Sequence, residues 1–579
     1  MADSSLDRRF QRIVAAMALC IFLGFSGCRS GAADPGADPS QYSIHKRVVA
    51  KNGAIATAHP LATDVGAMIL KAGGNAVDAA VAAQFALAVV YPVAGNIGGG
   101  GFMIIHSAKG QNTAIDFREE APRAATRDMY LDTAGNADPE RSRNGALSVG
   151  IPGTISGLFL AHDQYGAMSM KKLIQPAIDL ARKGFILTTG AATRLNAAQD
   201  AFRRYNRRPN AFIRDGGWHA GDTLVQTDLA HTLTLIRDHG AAGFYRGETA
   251  KKIVAEMKRG GGLISLDDLR NYQAIERDPV MFDYRGYQVV SMPLPSSGGI
   301  LLAQMLGMLS PFPVKRYGFE SVRSVQLMTE IERRAYADRA RYLGDPDFIK
   351  VPVDSLVSTD YLRRRMKDYH PGRATPSRAV SAGVIPWESD ETTHLSVADS
   401  AGNAVAVTYT LNNYFGSKVV VGNAGFFLND EMDDFSAKPG APNMFGLLGA
   451  EANAIAPHKR MLSSMTPTII LRKGRPFLVL GTPGGATIIT SVFQTIVDLI
   501  DFDLSVSDAV NKPKFHEQWK PEAVEIERGF PDSVVTAMQQ MGYSFKQVGS
   551  IGRTEVIRIG SDSVEAVADH RGDDAAAGY

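Results

Sequence analysis

Glu391-Thr392-Thr393-His394-Leu395-Ser396-Val397-Ala398-Asp399, resuming as Ala404-Val405-Ala406-Val407-Thr408-Tyr409-Thr410-Leu411-Asn412, decides how this chain is read. Leu395 and Val397, then Val405, Val407 and Tyr409, alternate with small or polar residues, the period of a β-strand. Between the two runs lies Asp399-Ser400-Ala401-Gly402-Asn403, a turn composition in which Gly and Asn accept positive φ. The stretch is expected to form a β-hairpin. Pairing Asp399 with Asn403 carries the ladder outward until Thr392 faces Thr410, with Cβ atoms about 4.5–5.5 Å apart. Two threonine hydroxyls then meet at the open end of the hairpin.

Threonine is also a good strand residue, and on propensity alone the pair carries no chemistry. The chemical reading starts from the weakness of a threonine hydroxyl as a nucleophile. It needs a base beside it, and a free N-terminal amine is one such base. With a reference pKa of about 7.7–8, that amine accepts a proton near neutral pH. Inside an intact chain Thr392 has no such amine. The chemistry therefore requires the bond between Glu391 and Thr392 to break first, with Thr410 orienting the hydroxyl it faces.

The rest of the chain sets limits. Its 579 residues suffice for several ordinary domains or one large composite one. Hydrophobic content of 45% and charged content of 21% are those of a soluble globular protein. The net charge is +2 with no long basic run, so nucleic acid is not an expected partner. At the N-terminus, Arg8, Arg9 and Arg12 precede an apolar run over 13–25 and then Ser26-Gly27-Cys28, the pattern of a signal for export, residues 1–28. The run is shorter than the ~20 residues of a membrane span. Cys20 and Cys28 both lie here, so the processed chain has no cysteine pair for a disulfide. Small residues before Cys28 resemble a bacterial lipoprotein site, which would leave the protein periplasmic and attached to the membrane by lipid alone. Plain secretion is the alternative. Residues 29–46, rich in Ala, Asp, Pro, Gly and Ser at their start, read as a flexible tether.

Val48-Val49-Ala50 and Ala54-Ile55-Ala56-Thr57-Ala58 read as short buried strands. Thr63 is expected to cap a helix that stops at Gly73-Gly74, and Asn75 to cap an Ala-rich helix that ends near Tyr91-Pro92. Gly98-Gly99-Gly100-Gly101 lead into an apolar strand rather than a helix, and no Gly-Lys-Ser/Thr follows. They read as close backbone packing, not a phosphate loop. From 148 to 390 helices alternate with Gly/Pro turns, for example over 174–183, 229–239 and 322–343, and the region reads as an α-rich scaffold. Residues 365–387 read as an exposed, protease-like linker that presents Glu391-Thr392. Gly484 and Gly485 join a strand to an amphipathic helix over 487–500. Glycines at a helix N-terminus offer unpaired N–H groups at the positive dipole end. They are either a turn or an oxyanion hole, where each donor is worth ~3–4 kcal/mol in the transition state.

The Thr-Thr-His-x-Ser-Val run from Thr392, with Gly402-Asn403 and the strand after it, resembles the processing site of γ-glutamyltransferases. These are N-terminal-nucleophile hydrolases that cut themselves into a large and a small subunit. The resemblance extends from about Val48 to the end and includes 284–299. It implies an α+β fold, the four-layer αββα sandwich, assembled from residues 47–391 and 392–579 as a heterodimer. It assigns Thr392 as nucleophile, Thr410 as its partner and Gly484 and Gly485 as oxyanion donors. Arg118, Ser463 and Ser464 would bind the substrate α-carboxylate, and a guanidinium fork suits that group. Asn412, Glu431 and Asp434 would hold the α-ammonium. Segment 438–453 resembles a substrate lid, with Phe445 where many bacterial members carry Tyr. The implied substrates are glutathione and other γ-glutamyl compounds, with water, amino acids or peptides as acceptors. Neither metal nor cofactor is expected, since the acidic run over 429–434 lacks His, Cys and EF-hand spacing. A cephalosporin acylase of the same fold, acting on a glutaryl group without an α-ammonium, is the nearest alternative. A different class is an unprocessed envelope-binding lipoprotein that keeps the fold without the chemistry.

Overall fold

The computed structural model describes residues 42–380, 392–438 and 451–579, all within one compact unit. Residues 1–41, with Cys28, and also Glu391 and Phe445 lie outside the described residues. Fourteen strands form two sheets. They are β1 (Arg47–Ala50), β2 (Ala54–Thr57), β3 (Gly100–His106), β4 (Asn112–Phe117), β5 (Ile275–Arg277), β6 (Val280–Tyr284) and β7 (Tyr287–Ser291). After these come β8 (Thr392–Ala398), β9 (Ala404–Thr410), β10 (Thr468–Arg472), β11 (Arg475–Gly481), β12 (Glu555–Ile559), β13 (Val564–Val567) and β14 (Ala575–Gly578). One sheet runs β14-β2-β8-β9-β3-β4-β5 and the other β1-β13-β12-β11-β10-β7-β6, each antiparallel throughout.

The sheets stack face to face. Ala56, Ala404, Ala406, Ile469, Val479 and Ile557 fill the space between them, all fully buried. Helices α1 (Pro60–Lys71) and α2 (Ala76–Val90) cover the outer face of the hairpin sheet, while α3 (Gly298–Leu309), α4 (Val322–Tyr342) and α5 (Thr487–Ile500) cover the other. The result is the expected four-layer sandwich. Both hairpin strands are buried along their whole length because they lie at the sheet's centre, between β2 and β3.

The glycine run packs as expected. A Cβ on Gly99 would come within 2.0 Å of the Thr410 carbonyl oxygen, and one on Gly101 within 2.4 Å of Tyr409 Cβ. Asn75 caps α2 with a full capping box to Asp78. Other expectations need correction. The first strand is half-exposed, with Val49 54% accessible, because β1 is a sheet edge. The cap of α1 is His59, whose Nδ1 accepts from Leu61 N–H, followed by Pro60 at the first helical position. Thr63 sits a turn further in and bonds Thr57 and the Ala575 carbonyl. Helix α5 is buried on nearly every face through Asp498, because α3 and the strand Phe515–His516 cover what would be its solvent side. The linker is not uniformly exposed. Ser377 Oγ donates to the Trp519 carbonyl at 2.6 Å, and Trp519 Nε1 donates to the carbonyls of Ser377 and Val380. Ordered, buried structure therefore continues to Val380, and 381–391 lie outside the described residues. At the N-terminal end, residues 42–46 are likewise anchored. Lys46 Nζ donates to three carbonyls between Asp569 and Asp574 at 2.6–2.8 Å.

Candidate active site

The hairpin closes in the expected register. Asp399 N–H donates to the Asn403 carbonyl, and seven pairs run out from Ala398–Ala404 to Thr392–Thr410. The turn is pinned by the Asp399 carboxylate, which accepts from Ala401, Asn403 and, at the start of α2, Ala76. Thr392 is 7% accessible and Thr410 3%, so the threonine end is enclosed. Asn412 N–H donates to Thr410 Oγ1 at 2.8 Å, which orients that hydroxyl. The bend that allows this puts Asn412 at φ +75, a left-handed conformation that Asn tolerates better than most residues. Its side-chain amide donates to the Asp430 carbonyl.

Gly484 and Gly485 stand at φ +135 and +51, ahead of α5. Their carbonyls accept from Thr487 and Ile488 and so start the helix. Only glycine suits φ +135, and a Cβ on Gly484 would also lie 2.5 Å from Thr487 Oγ1. Gly485 lines the cavity at the threonine end, with Gly484 one residue behind it.

That cavity is narrow, with a volume of about 20 Å³. Thr392, Thr410, Asn412 and Gly485 form one part of its wall, and Arg118, Glu431, Asp434, Ser463 and Ser464 form another. Of these only Arg118 comes from the N-terminal part of the chain; β4 ends just before it, and β10 starts just after the serines, which brings them to the same end as the hairpin.

Arg118 is fully buried and three carboxylates surround it. It bonds Glu431 through one guanidinium nitrogen and Asp434, at 2.5 Å, through the other, while Glu119 lies 3.6 Å away. Neither carboxylate oxygen of buried Glu119 has a hydrogen-bond partner, and one oxygen of Glu431 has none either. Burial pushes all three carboxyls up, Asp434 to about 6 and Glu119 to about 8, while the Arg118 charge opposes the shift. Those carboxylates hold the guanidinium firmly protonated. Around Arg118 carboxyl groups outnumber guanidinium groups, and burial favours the protonated forms of Glu119 and Glu431. The serines are set as donors. Ser463 Oγ accepts from Met465 N–H and Ser464 Oγ from Arg339 Nη2, each at 3.1 Å, which leaves the hydroxyl protons for an acceptor in the cavity.

Three cavity residues were not anticipated from sequence: Arg339, Met465 and Ile488. Arg339 sits near the end of α4, where Glu330, Glu332, Arg333, Arg334, Asp338 and Arg339 are all buried. A helix that places that many charges through its buried length was the available signal. No group of three or more potential metal-ligating side chains occurs among the described residues.

The sequence model of one family, gamma-glutamyltranspeptidase, matches residues 62–579. The glutathione hydrolase proenzyme of Escherichia coli strain K12 is 47% identical over 98% of this chain and 99% of its own length. Among solved structures, a cephalosporin acylase from Bacillus halodurans superposes with a TM-score of 0.81 at 27% identity, covering 94% of this chain and 99% of that one. The gamma-glutamyltranspeptidase of Helicobacter pylori is 44% identical with a TM-score of 0.55, covering 56% of this chain and 94% of that one.

Proposed function

The chain belongs to the gamma-glutamyltranspeptidase family, and from that premise we propose that it is a glutathione hydrolase and γ-glutamyltransferase whose precursor cuts itself before Thr392. The observation that carries this reading is the single cavity shared by the Thr392–Thr410 pair, Gly485 and the Arg118 charge cluster.

Thr392 Oγ attacks the γ-amide carbonyl of glutathione or a related compound, and the Thr392 amine takes its proton. Thr410, held by Asn412 N–H, orients the attacking hydroxyl. The N–H groups of Gly484 and Gly485, at the positive end of α5, receive the developing oxyanion. The amine product leaves with the proton from Thr392, and the γ-glutamyl ester passes to water or to the amine of an amino acid or peptide. Maturation uses the same hydroxyl on the preceding peptide bond, giving an ester that water opens. The cut leaves residues 47–391 and 392–579 interleaved, because β8 and β9 sit between β2 and β3.

The head group is read by charge. Arg118 is paired with Glu431 and Asp434. A zwitterion enters by exchange: its α-carboxylate takes Arg118 with the hydroxyls of Ser463 and Ser464, and its α-ammonium takes the released carboxylates and Asn412. An α-carboxylate that takes Arg118 leaves Glu431 and Asp434 without their cation, so the ligand must bring one. A glutaryl group supplies none, which argues against the acylase alternative despite the structural likeness. The N-terminal signal supports export to the periplasm with Cys28 as the lipid site, and among the described residues no helix is long and apolar enough to cross a membrane.

The test is the intact mass of the purified protein, followed by turnover of γ-glutamyl-p-nitroanilide against glutaryl-p-nitroanilide. Two fragments with the smaller starting at Thr392, and preference for the γ-glutamyl compound, are expected. A single uncut chain would overturn the nucleophile, and preference for the glutaryl compound would overturn the substrate.

A further inference from the structure

His394 lies two residues from Thr392 on the same face of β8, turned toward the other sheet. Its ring is fully buried and packs on Gly481, the last residue of β11. A Cβ on Gly481 would stand 2.2 Å from His394 Cε1. Gly481 is not among the residues with positive φ, so the ring and not the backbone excludes a side chain there. Three residues later the same segment reaches Gly484.

The ring also bonds within its own sheet and, through Ser396, is linked to the other. Nδ1 lies 2.8 Å from Thr408 Oγ1 on β9, and Nε2 lies 3.1 Å from Ser396 Oγ on β8. Ser396 Oγ donates in turn to the Glu555 carbonyl on β12 at 3.2 Å. A hydroxyl has one proton, so Ser396 accepts from Nε2–H and Nδ1 accepts from Thr408. Burial holds the ring neutral, pushing it down to about 3, which suits one donor and one acceptor nitrogen.

We infer that His394 is a positioning residue that sets the gap between the nucleophile strand and the oxyanion loop, through its packing on Gly481 and its bridge from Thr408 to Glu555. This rests on the proposed roles of Thr392 and Gly484-Gly485. It assigns His394 no contact with substrate and no proton transfer. An error in that gap weakens only the transition state, because the oxyanion exists only there, and the head-group contacts are untouched.

The experiment compares Gly481→Ala, His394→Ala, the double variant and the milder Thr408→Val, each as the full-length protein, by self-cleavage and by kcat and KM on γ-glutamyl-p-nitroanilide. Gly481→Ala is expected to lower kcat by ~100-fold and slow cleavage, His394→Ala by ~10-fold, and Thr408→Val by a few-fold, with KM within about 2-fold throughout. The decisive result is the double variant. Removing the ring makes room for the new methyl group, so kcat should recover at least ~10-fold over Gly481→Ala alone. A double variant no better than Gly481→Ala, or losses that fall on KM, would overturn the inference while leaving the proposed function intact. A wild-type protein that neither cleaves nor turns over would overturn both.

Discussion

The two ends of the cavity are built in opposite ways. At the threonine end, Thr392, Thr410 and the Gly484-Gly485 loop come from backbone register and backbone dihedrals, and the side chains are uncharged. At the head-group end, Arg118, Glu431, Asp434, Ser463 and Ser464 come from separate segments, and the contacts are nearly all charged side chains. The first end is positioned before any ligand arrives. The second is paired within itself, and in the proposed function it exchanges those partners to bind. The difference separates the kinetics: damage at the threonine end should appear in kcat, and damage at the head-group end in KM.

The sharpest way to break that division is Thr392→Ala. It should leave the precursor as one chain by mass and lower γ-glutamyl-p-nitroanilide turnover by ~10⁴-fold or more, the scale seen when a covalent nucleophile is removed. A processed, active variant would end the comparison by removing its first half. Gly484→Ala should lower kcat by ~10²–10³-fold with KM little changed, because it strains a φ of +135 and displaces the proposed oxyanion donor. At the other end, Asp434→Ala should raise KM by ~10–100-fold with kcat nearly preserved, the size of a lost charge-assisted hydrogen bond. If Asp434→Ala changed kcat and not KM, the two ends would not be separable and the exchange picture would fail.

The same contrast explains what the sequence made legible. The hairpin was readable because its register follows from a local alternation and a turn, so the Thr392–Thr410 contact needed only counting along two strands. The glycine run and the Gly484-Gly485 loop were readable because glycine marks close approach and unusual φ. Thr63 misled because two helix-start signals compete near it, and Pro60 with His59 begins the helix earlier. The head-group cluster was different. No spacing brings Arg118 to Glu431, more than three hundred residues away, so only resemblance connected them. Arg339 was not found at all, since a buried cation on a scaffold helix has no local pattern that names its partner. The pairing of Arg118 with Glu431 and Asp434, which a ligand's own charges would have to replace, follows from the fold and could not be read before it.

The smallest expected effect is also the one that separates the two ends within a single unmodified protein. At the threonine end the titrating group is the Thr392 amine, which must be neutral to accept a proton, so kcat should rise with pH through about 7.7–8. At the head-group end burial holds the Asp434 carboxyl up at about 6. An ammonium binds the ionised form, so substrate binding expels a proton from any carboxyl still protonated. KM should therefore rise as pH falls through 6, by ~3–10-fold for each unit below it, while that group leaves kcat unchanged. In Asp434→Asn, which cannot ionise, KM should be high at every pH and this limb should flatten. Initial rates from pH 5 to 9, fitted separately for kcat and KM, test this directly. Two limbs that move together would mean one titrating group governs both ends, and the division between a preset reaction end and an exchanging recognition end would have to be withdrawn.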